Sequence, residues 1–448
     1  MKKIITYGTF DLLHHGHINI LKRAKELGEY LIVGVTTETY DKGRGKLNVQ
    51  KSTTERIEDL LKTGYADKII IEEYEGQKID DILKYDVDIF AIGSDWKGKF
   101  DYLNEFCEVV YFERTKGVSS TQIRNDSKKF IELGIIGSGR IAERFVPESK
   151  YVSGINILGV YNPNKQSAEN FCNKHELSFF ENNFDTFINK VDAVYIASPH
   201  ITHGDYIQKS LINGKHVLCE KPLVLNLSEA KKLYNLAKSN DLVLLEAIKT
   251  AYAPAFSHLI SLVKSGTIGV IKNVEASFTK LVSGNLRELN SAQSGGSITE
   301  LSSYVLLPMI KLLGTNYQNV HFYSYLKNGI DLFTKGALKY NNAIASFNVG
   351  LGVKTEGDLI ISGTKGYAYV PAPWWKTEYF ELRYEDLNNT RKYFCKFEGD
   401  GLRYEINEFL NLINSKNNSS HKLSNDESIA IISLIEMFIQ KQNVSFIE

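Results

Sequence analysis

Twice in this chain a short apolar run ends at a glycine and passes almost directly into an amphipathic stretch. KKIITYG runs through TFDLLHHG into HINILKRAKELG, and FIELGIIG runs through SG into RIAERF. A strand that turns through glycine into a helix opens a βαβ unit, so two such openings predict two separate doubly wound parallel sheets. The intervening pattern agrees. In the first region Ile18, Leu21 and Ala24 fall at helical spacing, YLIVGVT reads as a strand and TTERIEDLLKTG as a helix, and KIIIEEY, DIFAIGS and EVVYFER complete the strands. The grammar restarts after the polar stretch RNDSKK, where NILGVYN, DAVYIASP, KHVLCEKP and LVLLEAI are strands with helices between. From about residue 250 longer alternating runs (KNVEASFTKL, NVHFYSYLK, KGALKYNNAIASFNV, KGYAYVPAP) predict a mostly antiparallel sheet in an α+β layer. The expected fold class is α/β throughout. A Rossmann-like domain spans 1–127, a Rossmann NAD(P)-binding domain 128–250, and an α+β substrate or oligomerisation domain 251–448.

Composition excludes several classes. Lys+Arg and Asp+Glu both total 53, so no basic field gathers nucleic acid. Cys107, Cys172, Cys219 and Cys395 are scattered without a CxxC pair, which argues against a disulfide framework or a zinc site. Asp11 and three histidines interrupt the N-terminus before a signal core can form, and no apolar run reaches membrane-spanning length. The expected compartment is the cytoplasm.

The densest functional cluster is Gly8-Thr9-Phe10-Asp11-Leu12-Leu13-His14-His15-Gly16-His17. It falls at the carboxyl end of a strand, where open parallel sheets bind ligands, and at a helix N-terminus, whose free N–H groups suit phosphate. His14 and His17 share one side of the first turn, and Gly16 lets the backbone approach an anion. Two imidazole donors fit charge developing on phosphorus.

This GTFD-LL-HHGH run resembles the HxGH signature of the nucleotidyltransferases, and within them the glycerol-3-phosphate cytidylyltransferases. Arg114-Thr115-Lys116-Gly117-Val118-Ser119-Ser120-Thr121 and Gly93-Ser94-Asp95-Trp96-Lys97-Gly98-Lys99 resemble two further segments of that family, so the likeness covers residues 1–127. The resemblance implies that His14 and His17 hold the triphosphate of CTP. It implies that Arg114, Ser119 and Thr121 contact phosphates, that Lys46 contacts substrate, and that Asp11 and Asp95, beside Trp96, organise the nucleotide and its Mg²⁺. The reaction would be attack of a substrate phosphate on the α-phosphorus, with pyrophosphate leaving. Glu38 and Ser94 depart from the family pattern. The choice of CTP over ATP rests on the resemblance and leaves an adenylyltransferase as an alternative.

The second glycine corner is Gly137-Ser138-Gly139-Arg140-Ile141-Ala142, a GxGxxA turn. The next strand ends at Asn162 in place of the acidic residue usual for NAD. Asparagine bonds a ribose hydroxyl without repelling a 2′-phosphate, and Lys165 stands close by, so NAD and NADP both remain open. Glu220-Lys221-Pro222 after HVLC, with Ser198-Pro199-His200-Ile201-Thr202-His203, resembles the Gfo/Idh/MocA oxidoreductases over about residues 130–448. The resemblance implies Lys221 beside the nicotinamide. It implies cofactor contacts from Ser198, Pro199, His203 and Glu220, and a Gly295-Gly296-Ser297…Glu300…Tyr304 stretch in the substrate site. Glu300 and Tyr304 are four apart and align on a helix. Tyr304 is the candidate acid/base, with Lys221 expected to lower its pKa. Glu300, Ser302 and Ala251 depart from the usual Asp, Gly and Arg, and Lys249 is a substitute anion contact. His200 and His203 also serve as structural candidates.

Consecutive steps are the simplest reason for the fusion. The expected function is reduction of a ketose or aldose phosphate to an alditol phosphate, followed by its activation as a CDP-alditol for surface-polymer synthesis. The alternative is a cytidylyltransferase carrying a non-catalytic oxidoreductase-like module. Both families imply a homodimer or higher homo-oligomer.

Overall fold

The computed structural model describes residues 1–11, 13, 15–37, 40–41, 53–113, 130–284 and 286–447, with the backbone alone at His15, Thr54 and Asp95. His14, Lys46, Arg114, Ser119 and Thr121, and the side chain of Asp95, lie outside the described residues. The chain forms two compact units, Met1–Phe130 with Tyr151–Asn156, and Ile131–Lys150 with Ile157–Glu448.

The first unit contains β1 (Lys3–Gly8), α1 (His15–Lys25), β2 (Tyr30–Thr36), α2 (Thr53–Thr63), β3 (Lys68–Glu72), α3 (Gln77–Tyr85), β4 (Ile89–Gly93) and β5 (Glu108–Phe112). Its strands run parallel in the order β3-β2-β1-β4-β5. The near-continuous burial of β1, β2 and β4 is what a parallel sheet covered on both faces requires. The order reverses between β1 and β4, and their carboxyl ends lead into the GTFD and GSDW segments. The two runs singled out by sequence therefore flank the crevice at the topological switch point.

The second unit begins with β6 (Ile131–Ile136), α4 (Arg140–Ser149), β7 (Ile155–Tyr161), α5 (Lys165–His175), β8 (Phe179–Glu181), α6 (Phe184–Ile188) and β9 (Ala193–Ile196). It continues with α7 (His203–Ile212), β10 (His216–Glu220), α8 (Leu227–Ser239), β11 (Leu244–Ala247), α9 (Lys249–Tyr252) and α10 (Pro254–Lys264). The sheet order is β11-β10-β9-β6-β7-β8, again reversing beside the glycine-turn strand. After β12 (Ile271–Thr279) and α11 (Ser297–Leu313) come β13 (Asn319–Lys327), β14 (Ile330–Lys339), β15 (Ile344–Gly350), β16 (Leu359–Gly363), β17 (Gly366–Val370), β18 (Tyr379–Tyr384) and β19 (Arg391–Phe394). α12 (Leu402–Ser415), α13 (Asn425–Ile439) and β20 (Val444–Ile447) end the chain. These last strands form one sheet in the order β19-β18-β17-β16-β12-β15-β14-β13-β20, antiparallel except at β12–β15 and β13–β20. KGALKYNNAIASFNV is two strands, not one. Asn341-Asn342 turns the chain between β14 and β15, as asparagine pairs favour in short hairpins. Among the described residues no helix is long and apolar enough to cross a membrane.

Candidate active sites

In the first unit the turn after β1 is shaped by Phe10. Its backbone takes a positive φ of 51° and its ring folds back over Gly8, where a Cβ would stand 3.0 Å from ring carbons. Gly8 is thus the space that Phe10 needs. The buried Phe10 ring meets His17 edge-on at 5.4 Å, so it buttresses the imidazole from the core side. His17 and Gly16 lie in the first turn of α1, and Asp11 is buried just before it.

A buried charged network holds this turn from behind. Thr9 Oγ1 donates to Asp41 Oδ1 at 3.1 Å and Thr36 Oγ1 to Asp41 Oδ2 at 2.7 Å. Arg56 Nη1 donates to the Thr9 carbonyl at 2.8 Å and lies 3.5 Å from Asp41 Oδ2. Arg56 and Asp41 are fully buried. Of these four positions only Thr9 was singled out from sequence. Asp41 and Arg56 are 15 residues apart, with no motif between them to announce the pair. Across the crevice, Trp96 follows β4 and packs against Phe100, with Lys99 over its outer ring at 5.0 Å. Among the described residues no group of three or more His, Cys, Asp and Glu could hold a metal ion.

In the second unit Gly137 has a φ of 99°, and a Cβ on it would lie 2.8 Å from the Ala197 carbonyl oxygen. Only glycine fits, because the turn after β6 presses on the turn after β9. Gly139, which caps α4, has open space where a Cβ would stand, and Ala142 is fully buried against the sheet. An open glycine at a helix N-terminus is the cradle a pyrophosphate requires, so these residues fit NAD(P). Asn162 Nδ2 donates to Ser138 Oγ at 2.8 Å, and its Oδ1 accepts from the Asn164 amide at 2.9 Å. Exposed Lys165 begins α5 two residues beyond Pro163. Arg140 is exposed, with Nη2 donating to Glu288 at 2.7 Å, and Ile141 follows it in α4. Burial works to raise the Glu288 carboxyl, but Arg140 and Lys280 together hold it at about 2.

The turn after β10 carries Glu220 and Lys221, and the Lys221–Pro222 peptide is cis. Glu220 accepts from the buried Tyr195 hydroxyl at 2.6 Å. Lys221 Nζ donates to the Glu300 carbonyl at 2.8 Å and stands 5.5 Å over the Tyr304 ring. Glu300 and Tyr304 lie one turn apart on α11. The Glu300 carboxylate is buried and paired with Arg287 at 2.8 Å, so Glu300 reaches Lys221 through its backbone. Tyr304 also abuts Phe278 at 5.2 Å, and Phe278 stacks on Trp375 at 3.6 Å.

The net shift of Tyr304 runs opposite to the lowering expected from Lys221. Burial pushes the hydroxyl well above its usual range, with Glu220 and Glu405 adding to the effect. A phenol in such surroundings keeps its proton. Lys249 meets a carbonyl, donating to Asp400 O at 2.7 Å. His203 is fully buried, its ring nitrogens each 2.9 Å from the carbonyls of Pro222 and Ser198. It ties the Ser198-Pro199 turn to the Lys221-Pro222 turn and so acts on the site through backbone. His200 is buried with Nδ1 3.8 Å from Glu300, and burial drives its pKa well down.

Two clamps went unread in the sequence. Asp331 Oδ2 accepts from Ser297 Oγ at 2.6 Å and the Ile298 amide at 2.8 Å, capping α11 from another strand. Glu246 accepts from the Leu223 amide at 3.0 Å and from Ser428, fixing the turn behind Lys221.

Known proteins divide along the same line. The family described as cytidylyltransferase-like matches residues 5–126, and the oxidoreductase family with an NAD-binding Rossmann fold matches residues 131–247. A glycerol-3-phosphate cytidylyltransferase of Bacillus spizizenii is 51% identical over 130 residues, which is 28% of this chain and 97% of that protein. The scyllo-inositol 2-dehydrogenase (NADP(+)) IolU of Bacillus subtilis is 27% identical over 319 residues, 68% of this chain and 95% of that protein. The crystal structure of KijD10, a 3-ketoreductase from Actinomadura kijaniata in complex with NADP and TDP-benzene, shares the fold with a TM-score of 0.64. It is 19% identical and covers 71% of this chain and all of its own. The chain therefore belongs, through its first unit, to the glycerol-3-phosphate cytidylyltransferase family, and its second unit matches the NAD-binding Rossmann domain of the Gfo/Idh/MocA oxidoreductases, so that one polypeptide is an enzyme joining both activities.

Proposed function

We propose that the chain makes a CDP-alditol for a surface polysaccharide or teichoic-acid-type polymer. The second unit reduces a ketose or aldose phosphate with NADH or NADPH, and the first transfers a cytidylyl group from CTP to the resulting alditol phosphate. The observation that carries this reading is the fusion itself. A unit whose relatives are named for glycerol 3-phosphate, an alditol phosphate, shares a polypeptide with a Rossmann unit in which the Lys221 ammonium stands over the Tyr304 ring.

In the first site a phosphate oxygen of the alditol phosphate attacks the α-phosphorus, and the bond to the β-phosphate breaks to release pyrophosphate. His14 and His17 donate to the phosphates from the start of α1, whose free N–H groups add positive potential. Gly8, Thr9, Phe10 and Gly16 shape that turn. Asp11 and Asp95 hold Mg²⁺ through the nucleotide, and Trp96, Lys46, Arg114, Ser119 and Thr121 complete the nucleotide and substrate contacts. No protein nucleophile is required, because positioning and charge neutralisation supply the rate.

In the second site Gly137, Gly139, Arg140 and Ile141 receive the cofactor pyrophosphate, and Asn162 with Lys165 meets the adenosine ribose. Ser198, Pro199 and Glu220 line the nicotinamide end, which His203 holds in place. Bound there, the nicotinamide supplies hydride. The Lys221 ammonium polarises the substrate carbonyl, Glu300 fixes that ammonium, and Tyr304 gives the proton. Asn162 and Lys165 favour NADP, as does the cofactor in the name of the IolU relative. Incubation with CTP, Mg²⁺, NADPH and a panel of triose to hexose ketose phosphates should yield a CDP-alditol mass that requires every component. Unrelated products from the two halves would refute the coupling. A product formed from preformed alditol phosphate alone, without NADPH binding, would favour a non-catalytic second unit. Pyrophosphate release from ATP and not CTP would favour an adenylyltransferase.

A further inference from the structure

Three cations from separate elements converge on Asp400, which directly precedes the start of α12. Arg144 of α4 has Nε 3.9 Å from Asp400 Oδ2, and Lys376, between β17 and β18, has Nζ 3.9 Å from Asp400 Oδ1. Lys249 of α9 donates to the Asp400 carbonyl at 2.7 Å. At 3.9 Å neither Arg144 nor Lys376 forms a hydrogen bond with the carboxylate. Their side chains are 50% and 37% exposed, so a ligand reaches both from solvent. Nearby Glu148 is taken up by Arg403 through two hydrogen bonds, and Glu220 accepts from Tyr195. Burial lowers the Lys249 ammonium below its ordinary range against the pull of Glu405, and Lys376 lowers it further. The cluster is therefore richer in positive charge than its own carboxylates neutralise.

Contacts join this cluster to the oxidoreductase site. The Trp375 carbonyl, one residue before Lys376, accepts from Thr250 Oγ1, one residue after Lys249, at 2.8 Å. The Trp375 ring stacks on Phe278 at 3.6 Å, Phe278 abuts Tyr304 at 5.2 Å, and Lys221 Nζ stands 5.5 Å over the Tyr304 ring. Trp375, Phe278 and Tyr304 are each only partly buried. One aromatic row thus runs from the Lys221–Tyr304 pair to the cations, and aromatic faces suit the C–H faces of a sugar chain.

We propose that Arg144, Lys249 and Lys376 form the phosphate-recognition end of the oxidoreductase site. They grip the phosphate of a sugar phosphate whose carbon chain crosses Phe278 and Trp375 and whose carbonyl reaches Lys221 and Tyr304. The proposal rests on the reading of the second unit as a sugar-phosphate reductase, and it says how that unit selects a phosphorylated sugar over a free one. The Arg144 guanidinium offers a planar fork to two phosphate oxygens, and the two ammonium groups act as point charges. Lys249 keeps two N–H donors beyond the one given to the Asp400 carbonyl.

The test uses the full chain with Arg144→Gln and Lys376→Gln. With NADPH and any ketose phosphate that turns over, each variant should raise KM about 10-fold, as loss of one charge-assisted hydrogen bond does, with the loss falling on KM and not on kcat. The wild type should favour the ketose phosphate over the matching phosphate-free ketose by a wider margin than either variant. NADPH affinity and cytidylyl transfer should hold. Unchanged KM in both variants would overturn the proposal, as would a loss of NADPH affinity, which would assign the cluster to the cofactor. Calorimetric titration with inorganic phosphate, with CTP and NADPH saturating so that the first site is filled, decides independently of turnover. The wild type should bind phosphate about 10-fold more tightly than R144Q or K376Q, and equal affinities would overturn the proposal. If the variants lose phosphate binding but no panel member turns over in the wild type, the reductase reading has failed and the phosphate site stands.

Discussion

The turn after β1 and the turn after β6 both lead into a helix N-terminus, but opposite materials hold them. The first is braced from behind by side chains, with Arg56, Asp41, Thr9 and Thr36 in one buried network and Phe10 wedged over Gly8. The second is held by the lack of a side chain. Gly137 lets two backbone turns touch, and Gly139 leaves the approach to α4 open. A corner that must aim imidazoles at phosphorus needs a rigid frame for those rings. A corner that offers backbone N–H groups to a pyrophosphate needs clearance.

If that contrast is real, the largest effect comes from breaking the charged brace. Arg56→Ala strands a buried carboxylate, and loss of one partner of a buried pair costs about 3–5 kcal/mol. Chemical denaturation should show the first unit unfolding at lower denaturant, with NADPH binding by the second unit retained. Next is His17→Ala, which should lower cytidylyl transfer by about 10²–10³-fold, as removal of one preorganised donor does. Circular dichroism and the melting temperature should be preserved. Gly137→Ala should follow. A methyl 2.8 Å from the Ala197 carbonyl, on a backbone with positive φ, carries about 1–3 kcal/mol of strain and should weaken NADPH binding while CTP binding stands.

The smallest effect is a pH trend. Glu405, Glu246 (about 7) and Asp331 (about 6) are carboxyls whose folded pKa values are raised by burial. Each costs stability as pH rises above the unfolded value of about 4. Glu288, held at about 2, works the other way, and its contribution is lost as pH falls through that value. The second unit should therefore lose melting temperature from about pH 5 to about pH 8, and E405Q should blunt the loss.

The comparison also explains what the sequence could tell. Both corners were legible because strand, glycine and helix are contiguous there, so local geometry is written locally. Lys221, Glu300 and Tyr304 were legible as a motif, and the helix places the last two as spacing requires. The braces were not. Asp41 to Arg56, Asp331 to Ser297 and Glu246 to Leu223 join residues whose proximity depends on chain crossings that no periodicity records. The raised pKa of Tyr304 was missed for the same reason, since Lys221 was visible beside it while the burial and the carboxyl of Glu405 were not.

Calorimetric titration of the intact chain with CTP and with NADPH, in the wild type, H17A and G137A, tests the two-corner account most directly. It predicts a crossed pattern, in which H17A loses CTP affinity and keeps NADPH affinity, and G137A does the reverse. Loss of both ligands from either variant, or of neither from both, would contradict it.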